Sequence, residues 1–174
     1  AGEKVKIGAD GTPTSYIDVV AEEIVIRILK EAKVYSYIIS EEIGELRLGK
    51  GTTRSISLTQ ELRRDDIDEE EKPNFIFLVD PIDGTSNAIK EIPAFGISIA
   101  VANVPKGRIA TLNDVELAFI SNFANGNFFE AEKGKGCWLN NEKVHPSDIV
   151  TISDMTLGGF TKSGTSEASK LVDN

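Results

Sequence analysis

Apolar residues recur at Ile17, Val20, Ala21, Ile24, Val25, Ile28, Leu29 and Ala32. That spacing predicts an amphipathic helix over residues 16–33. Ser15 stands at the expected N-cap, and Asp18 holds the third helical position, a capping box with Asp in place of Glu or Gln. Residues 34–40 predict a strand of mixed burial, and the apolar run 75–79 predicts a buried one. A short helix is expected over 86–91, bounded by Pro93. Residues 95–102 predict a further buried strand, with Ser98, Ala100 and Ala102 along one side. Strands beginning at Ile109 and spanning 115–121 follow. The Asn125-Gly126 pair predicts a hairpin joining 120–123 to 128–131, and a turn at 133–136 leads into 137–141. The expected architecture is α+β, with a long and a short helix packed on a largely antiparallel sheet.

Polar stretches separate these elements. Residues 4–15 carry Asp10-Gly11 and Pro13, which predicts a hairpin or surface turn, or else a mobile loop over a site. Gly44, Gly49 and Lys50 imitate a phosphate-binding P-loop, but Gly51 stands where Ser or Thr is needed, so a glycine-rich hairpin turn fits better. Residues 53–60 alternate weakly, as a strand would. Residues 61–72 hold Glu61, Asp65, Asp66, Asp68, Glu69, Glu70 and Glu71 with almost nothing apolar, which predicts a solvated loop or frayed helix. These readings give one α+β domain over residues 1–150, with the acidic loop inside it. Residues 151–174 are then a polar tail or the start of an incomplete second domain.

Composition narrows the function. The 174 residues are 40% hydrophobic, enough for a core, and carry a net charge of −9. A field of that sign disfavours nucleic acids and anionic membranes as partners. Within this chain, the single Cys137 excludes an intrachain disulfide and a multi-cysteine zinc site, and the single His145 excludes a multi-histidine metal site. Cys137 beside Trp138 reads as a packing residue, and His145 before Pro146 as a surface or turn histidine. No signal peptide or membrane-length apolar run is visible, so the expected location is cytoplasmic.

The chemistry concentrates at residues 75–85. The apolar run leads into Asp80-Pro81-Ile82-Asp83-Gly84-Thr85, where Pro81 and Gly84 predict that the strand ends. Thr85 is placed to open a helix, and Asp83 to cap it. Two carboxylates thus meet the free amides of a helix start. Half-buried carboxylates call for a cation, and the amides for an anion. A divalent metal bound to phosphate satisfies both. Asp18 and Glu22, one helical turn apart, also repel each other in a way that a nearby cation would relieve.

Taken together these segments resemble the inositol monophosphatase / fructose-1,6-bisphosphatase superfamily, and most closely its archaeal dual-activity type. Residues 80–85 match the main metal motif. Asn87, residues 92–95 and residues 98–100 match the helix and strand after it. Residues 40–44 match the upstream acidic motif, residues 10–14 with Asp18 and Glu22 the N-terminal segment, and residues 129–131, 134–136 and 139–140 the hairpin region. The resemblance implies the N-terminal half of a sugar-phosphatase fold. It implies a Mg2+-dependent phosphate monoester hydrolase acting on a small phosphorylated sugar or polyol, fructose 1,6-bisphosphate or inositol 1-phosphate. Attack is by metal-activated water, with no covalent intermediate. Two or three Mg2+ ions are implied, with Mn2+ as a substitute, and a homodimer.

By the same resemblance, Glu41, Asp80, Asp83 and the carbonyl of Ile82 are metal ligands. Thr85, Asp18 and Glu41 are the catalytic group that activates the water. The amides of Gly84 and Thr85 grip the phosphate, and Asp10 and Gly11 belong to a mobile loop over the site. The family continues past this chain into a second domain that completes the pocket, and nothing in residues 149–174 matches that domain. The alternative is therefore a non-catalytic metal- or phosphate-binding domain of the same fold.

Overall fold

The computed structural model describes residues 3–9, 11, 13–64 and 72–156. Backbone contacts divide the chain into one unit at Ala1–Val144 and another at His145–Asn174. In the first unit, β1 (Lys4–Ile7) and β2 (Pro13–Ser15) form an antiparallel hairpin. They are followed by α1 (Tyr16–Glu31), β3 (Ser36–Ser40), β4 (Gly44–Gly49), β5 (Thr52–Ser55) and α2 (Leu58–Glu61). Then come β6 (Phe75–Asp83), α3 (Thr85–Ile89), β7 (Gly96–Asn103), β8 (Val115–Asn122), β9 (Phe128–Glu132), β10 (Gly136–Leu139) and β11 (Glu142–Val144).

Nine strands form one sheet in the order β11-β10-β9-β8-β7-β6-β3-β4-β5. Only β3 and β6 run parallel, in the register Ser40↔Val79; the other neighbours are antiparallel. This is the expected α+β arrangement. The parallel pair matters because it brings the C-terminal ends of β3 and β6, and the acidic turns that follow them, to the same edge of the fold.

Strand alternation sorts the core into two layers. On one face Ile38, Leu46, Leu48 and Val79 pack against Val25, Ile26 and Leu29 of α1. On the other, Tyr37, Ile76 and Ala102 pack with Leu58 of α2. The glycine-rich segment forms β4 and the turn into β5, as a hairpin rather than a phosphate loop.

The facing of α1 departs from its apolar pattern. Asp18 and Glu22 are its buried residues, whereas Ile24 and Ile28 are exposed. Hydrogen bonds to other segments, described below, draw the two acids inward.

Other boundaries also moved. The weak strand read over 53–60 stops at Ser55 and gives way to α2, whose Leu58 is buried and whose Leu58 amide donates to the Glu45 carboxylate. Glu61 is not solvated. It is 5% exposed and accepts hydrogen bonds from Arg47 at 2.8 Å and Arg54 at 2.7 Å. The rest of the acidic run, residues 65–71, lies outside the described residues. No strand starts at Ile109. Arg108 and the Thr111 amide both bond Asp114 at 2.8 Å, and residues Leu112–Asp114 form a 3-10 turn. Such local side-chain bonds compete with a sheet ladder. The segment read over 137–141 is β10 followed by a turn with Asn140 and Asn141 at positive φ, and the added strand β11 comes after it.

Cys137 is half-buried and His145 exposed. The described part of the second unit holds a 3-10 turn at Ile152–Asp154; the polar tail from residue 157 onward lies outside the described residues. Among the described residues, no helix is long and apolar enough to cross a membrane.

Candidate metal and phosphate site

The first acidic turn grows out of β6. The strand continues past Pro81 to Asp83, because a bulge absorbs the turn that Pro81 predicted. Asp80 pairs with Ser98 and Asp83 with Gly96, so residues 80–83 oppose residues 96–98 and one residue is extra. Asp83 does not cap the following helix. Gly84 is the N-cap, at φ 87° and ψ 36°, without a side-chain cap. Only glycine adopts this left-handed conformation freely, and a Cβ here would also come within 2.8 Å of the Ala94 carbonyl oxygen. Asn87 fixes the same carbonyl, its side-chain amide donating at 2.7 Å. Thr85 then opens α3, and the amides at that end have no acceptor within the helix.

The second acidic turn follows β3. Glu41 is exposed and, with Asp80 and Ser98, lines an open hollow of about 470 Å³. Glu42 points elsewhere. Its carboxylate accepts from the buried hydroxyl of Thr14, and its carbonyl accepts from the Ala9 amide at 3.1 Å. The β1–β2 hairpin is thereby fastened to this turn. Gly11, at φ +86°, donates its amide to the Gly8 carbonyl at 3.0 Å inside the hairpin loop. Asp10 lies outside the described residues.

Helix α1 reaches both turns with its two buried acids. Asp18 Oδ1 accepts from the Thr85 hydroxyl at 2.7 Å, and Oδ2 accepts from the Ser15 hydroxyl at 2.7 Å and the Ser15 amide at 3.1 Å. The Thr85 hydroxyl oxygen also lies 3.0 Å from the Ile82 carbonyl. It has one hydrogen to donate, and Asp18 is the nearer acceptor. One turn on, Glu22 Oε1 accepts from the Ile43 amide at 3.1 Å. Glu22 Oε2 and the Ser40 hydroxyl are both buried without a hydrogen-bond partner. Ser40 nevertheless lies close enough to draw the Glu22 carboxyl back down. Burial dominates, pushing Glu22 above its ordinary value, while Lys6 pulls it down and Glu42 pushes it up.

Asp80 is where the charges meet. Its carboxyl is pushed up chiefly by burial, then by the charge of Asp83, and further by Asp18 and Glu42, while a hydrogen bond from the Ile82 amide pulls it down. Three acids thus bear on Asp80. The arrangement adds a residue that sequence reasoning passed over, Glu42. The available signal was alternation: Ile38 and Ser40 share the α1 side of β3, and Glu42 continues that series.

The donor set suits a hard cation. Carboxylates and carbonyls are the oxygen ligands that magnesium takes. The Asp80 carboxyl is pushed up first by burial and then by its acidic neighbours, and a bound cation would offset both. The acids are not drawn together around one point: among the described residues, no three acid, histidine or cysteine side chains are placed to hold an ion.

Comparison with known proteins adds the lineage. The sequence model of the inositol monophosphatase family matches residues 3–172. A fructose-1,6-bisphosphatase/inositol-1-monophosphatase of Methanothermobacter thermautotrophicus is 42% identical over 161 residues, covering 92% of this chain and 51% of the relative. A bifunctional NADP phosphatase/NAD kinase of Methanococcus maripaludis is 33% identical, covering 92% of this chain and 27% of that protein. A solved Pyrococcus horikoshii protein with similarities for inositol-1 monophosphatase superposes with a TM-score of 0.58 at 27% identity, over 87% of this chain and 46% of that one. The chain therefore spans about half or less of the length of these three proteins.

Proposed function

The chain belongs to the inositol monophosphatase family, and on that premise we propose that it carries the metal- and phosphate-binding part of a Mg2+-dependent phosphate monoester hydrolase. The substrate is a small phosphorylated sugar or polyol, in keeping with the names of the archaeal relatives. The observation that carries the reading is the bulge of β6 that sets Asp80 and Asp83 beside the start of α3, where the Thr85 hydroxyl donates to Asp18 at 2.7 Å. Asp80, Asp83, the Ile82 carbonyl and a glutamate from the Glu41-Glu42 pair would hold the metal. Magnesium bound there supplies neutralising charge and lowers the pKa of a coordinated water.

The remaining work falls to the chain itself. Asp18 Oδ1 takes the Thr85 hydroxyl hydrogen, which leaves a lone pair on Thr85 Oγ1 to accept a hydrogen from the incoming water. The buried Ser15–Asp18 pair keeps that carboxylate fixed. The amides of Gly84 and Thr85 receive the substrate phosphate at the start of α3. The protein works as a homodimer in the cytoplasm.

A second reading has its own support. The chain spans 51% of the fructose-1,6-bisphosphatase/inositol-1-monophosphatase relative, and among the described residues no three acids converge on one point. By that reading the chain alone binds metal or phosphate without turnover. Phosphate release from inositol 1-phosphate, fructose 1,6-bisphosphate and an aryl phosphate, each with and without Mg2+, separates the two. Mg2+-dependent release supports the hydrolase. No release, with metal still bound, leaves the binding domain.

A further inference from the structure

Asp18 and Glu22 stand one turn apart on α1, both buried, and each is bonded to a different acidic turn. Asp18 takes the Thr85 hydroxyl beside the Asp80–Asp83 segment, and Glu22 takes the Ile43 amide beside the Glu41-Glu42 pair. An α-helix fixes side chains at i and i+4 about 5–6 Å apart between Cβ atoms. The parallel β3–β6 pairing brings the two strand ends together as far as Ser40↔Val79, and the Asp18–Glu22 spacing adds a second constraint on the turns beyond that last pair. We propose that Glu22 is a positioning residue, which holds the Glu41-Glu42 turn at a fixed offset from the Asp80–Asp83 segment so that both sets of carboxylates serve one metal site. The inference rests on the reading of those acids as metal ligands.

Glu22 is not itself a ligand here. Its Oε1 is committed to Ile43, and the residue is 2% exposed. A carboxylate buried on a helix face is a costly way to fill space. A merely structural need at this position would be met by an apolar side chain packed like neighbouring Val25 and Leu29. What an apolar residue cannot do is accept the Ile43 amide. The turn is otherwise held through Glu42, by Ala9 and Thr14 of the N-terminal hairpin. Glu22 is the tie that joins the turn to the same helix that carries Asp18.

The test compares Glu22→Ala, Glu22→Gln and, as a core control on the same helix, Leu29→Ala. Two readouts are taken on folded protein: Mn2+ affinity by calorimetry, and amide hydrogen exchange at Ile43. Glu22→Gln retains an oxygen for Ile43, so it should keep Ile43 protection and bind Mn2+ as wild type does. Glu22→Ala should lose the extra protection of Ile43 and weaken Mn2+ about 10- to 100-fold, the usual cost of removing a group that orients a metal ligand. Leu29→Ala should lower the melting temperature and leave both readouts unchanged.

The proposal is overturned if Glu22→Ala keeps wild-type affinity, if Glu22→Gln loses as much as Glu22→Ala, or if Leu29→Ala weakens Mn2+ equally. If wild type binds no Mn2+, the reading of the acids as ligands fails by itself. Exchange at Ile43 then decides the tie: protection lost only in Glu22→Ala supports the positioning contact, and protection retained there overturns it.

Discussion

The hydroxyl of Thr85 donates to the Asp18 carboxylate at 2.7 Å, joining residues 67 apart in sequence. The same carboxylate caps α1 through Ser15, so one side chain both starts a helix and orients the hydroxyl proposed to bind the attacking water. Thr85→Val keeps the shape and removes the hydroxyl. It should lower kcat by about 10²–10⁴ on any ester that the protein hydrolyses, as expected when a proton-handling group is lost. The melting temperature should change little, and Thr85→Ser should recover most of the rate. Asp18→Ala should reduce activity similarly and also cost about 1 kcal/mol or more of stability, because it takes the cap away. Paired kinetic and denaturation measurements separate the two effects.

The raised Asp80 carboxyl makes metal-free stability depend on pH in a stated direction. The folded state binds the Asp80 proton more tightly than the unfolded chain, whose ordinary value is 3.8. Its contribution is fully present below that value and is lost as pH rises through the higher folded value. In a chelator, Asp80→Asn should therefore gain stability relative to wild type as pH rises from about 3.8 toward neutrality. Added Mg2+ should restore wild type and not the variant. Melting temperatures of both proteins across that range, with chelator and with Mg2+, check the sign. Glu22 slopes the same way from 4.5 upward in both proteins, so the difference between them isolates Asp80.

Gly96 stands opposite Asp83 and packs directly against β8. Its backbone is extended, so conformational freedom is not the reason for glycine. The reason is contact: a Cβ would lie 2.1 Å from the Ser121 carbonyl oxygen, which belongs to the backbone of the neighbouring strand. Gly96→Ala should cost about 1–3 kcal/mol or more through forced displacement. Because that shift reaches the bulge at Asp80–Asp83, Mn2+ affinity should fall with it. Urea denaturation midpoints and a Mn2+ titration measure both.

At the far side of the sheet, Glu61 gathers Arg47, Arg54 and Arg64 at 2.8, 2.7 and 3.5 Å. Desolvation alone would raise its carboxyl, yet the hydrogen bonds from Arg47 and Arg54 leave it below its ordinary value. Arg47 is 8% exposed, and Glu61→Ala removes the carboxylate that its guanidinium meets at 2.8 Å. The expected loss is about 3–5 kcal/mol. Arg54→Ala, at a half-exposed partner, should cost about 1 kcal/mol or less. Neither should alter metal affinity in the folded protein. Chemical denaturation beside a Mn2+ titration tests this separation.

Much of the scaffold was legible in the chain because short-range chemistry dictates it. Ser15 and Asp18 marked the start of α1, Asn125-Gly126 marked the β8–β9 hairpin, and the apolar run at 75–79 marked the central strand. What escaped depended on partners distant in sequence. Helical periodicity placed Ile24 and Ile28 inside and left Asp18 and Glu22 out, whereas bonds to Thr85 and Ile43 reverse that facing. Glu61 read as one more solvated acid because its partners Arg47 and Arg54 come from β4 and β5. Pro81 read as the end of β6, and a bulge against β7 carried the strand on to Asp83. The choice between Glu41 and Glu42 needed the hairpin, since it is Thr14 that engages Glu42.

The central claim is that Asp80 and its neighbouring acids form an oxygen-only metal site beside Thr85. Calorimetric titration of Mn2+ into wild type, Asp80→Asn, Asp83→Asn, Glu41→Gln and Glu42→Gln tests it most directly. Wild type should bind. Asp80→Asn should weaken binding by at least about tenfold, a loss of about 1.4 kcal/mol, and one of the two glutamate variants should weaken it comparably. Failure of wild type to bind, or Asp80→Asn binding as tightly as wild type, would contradict the account.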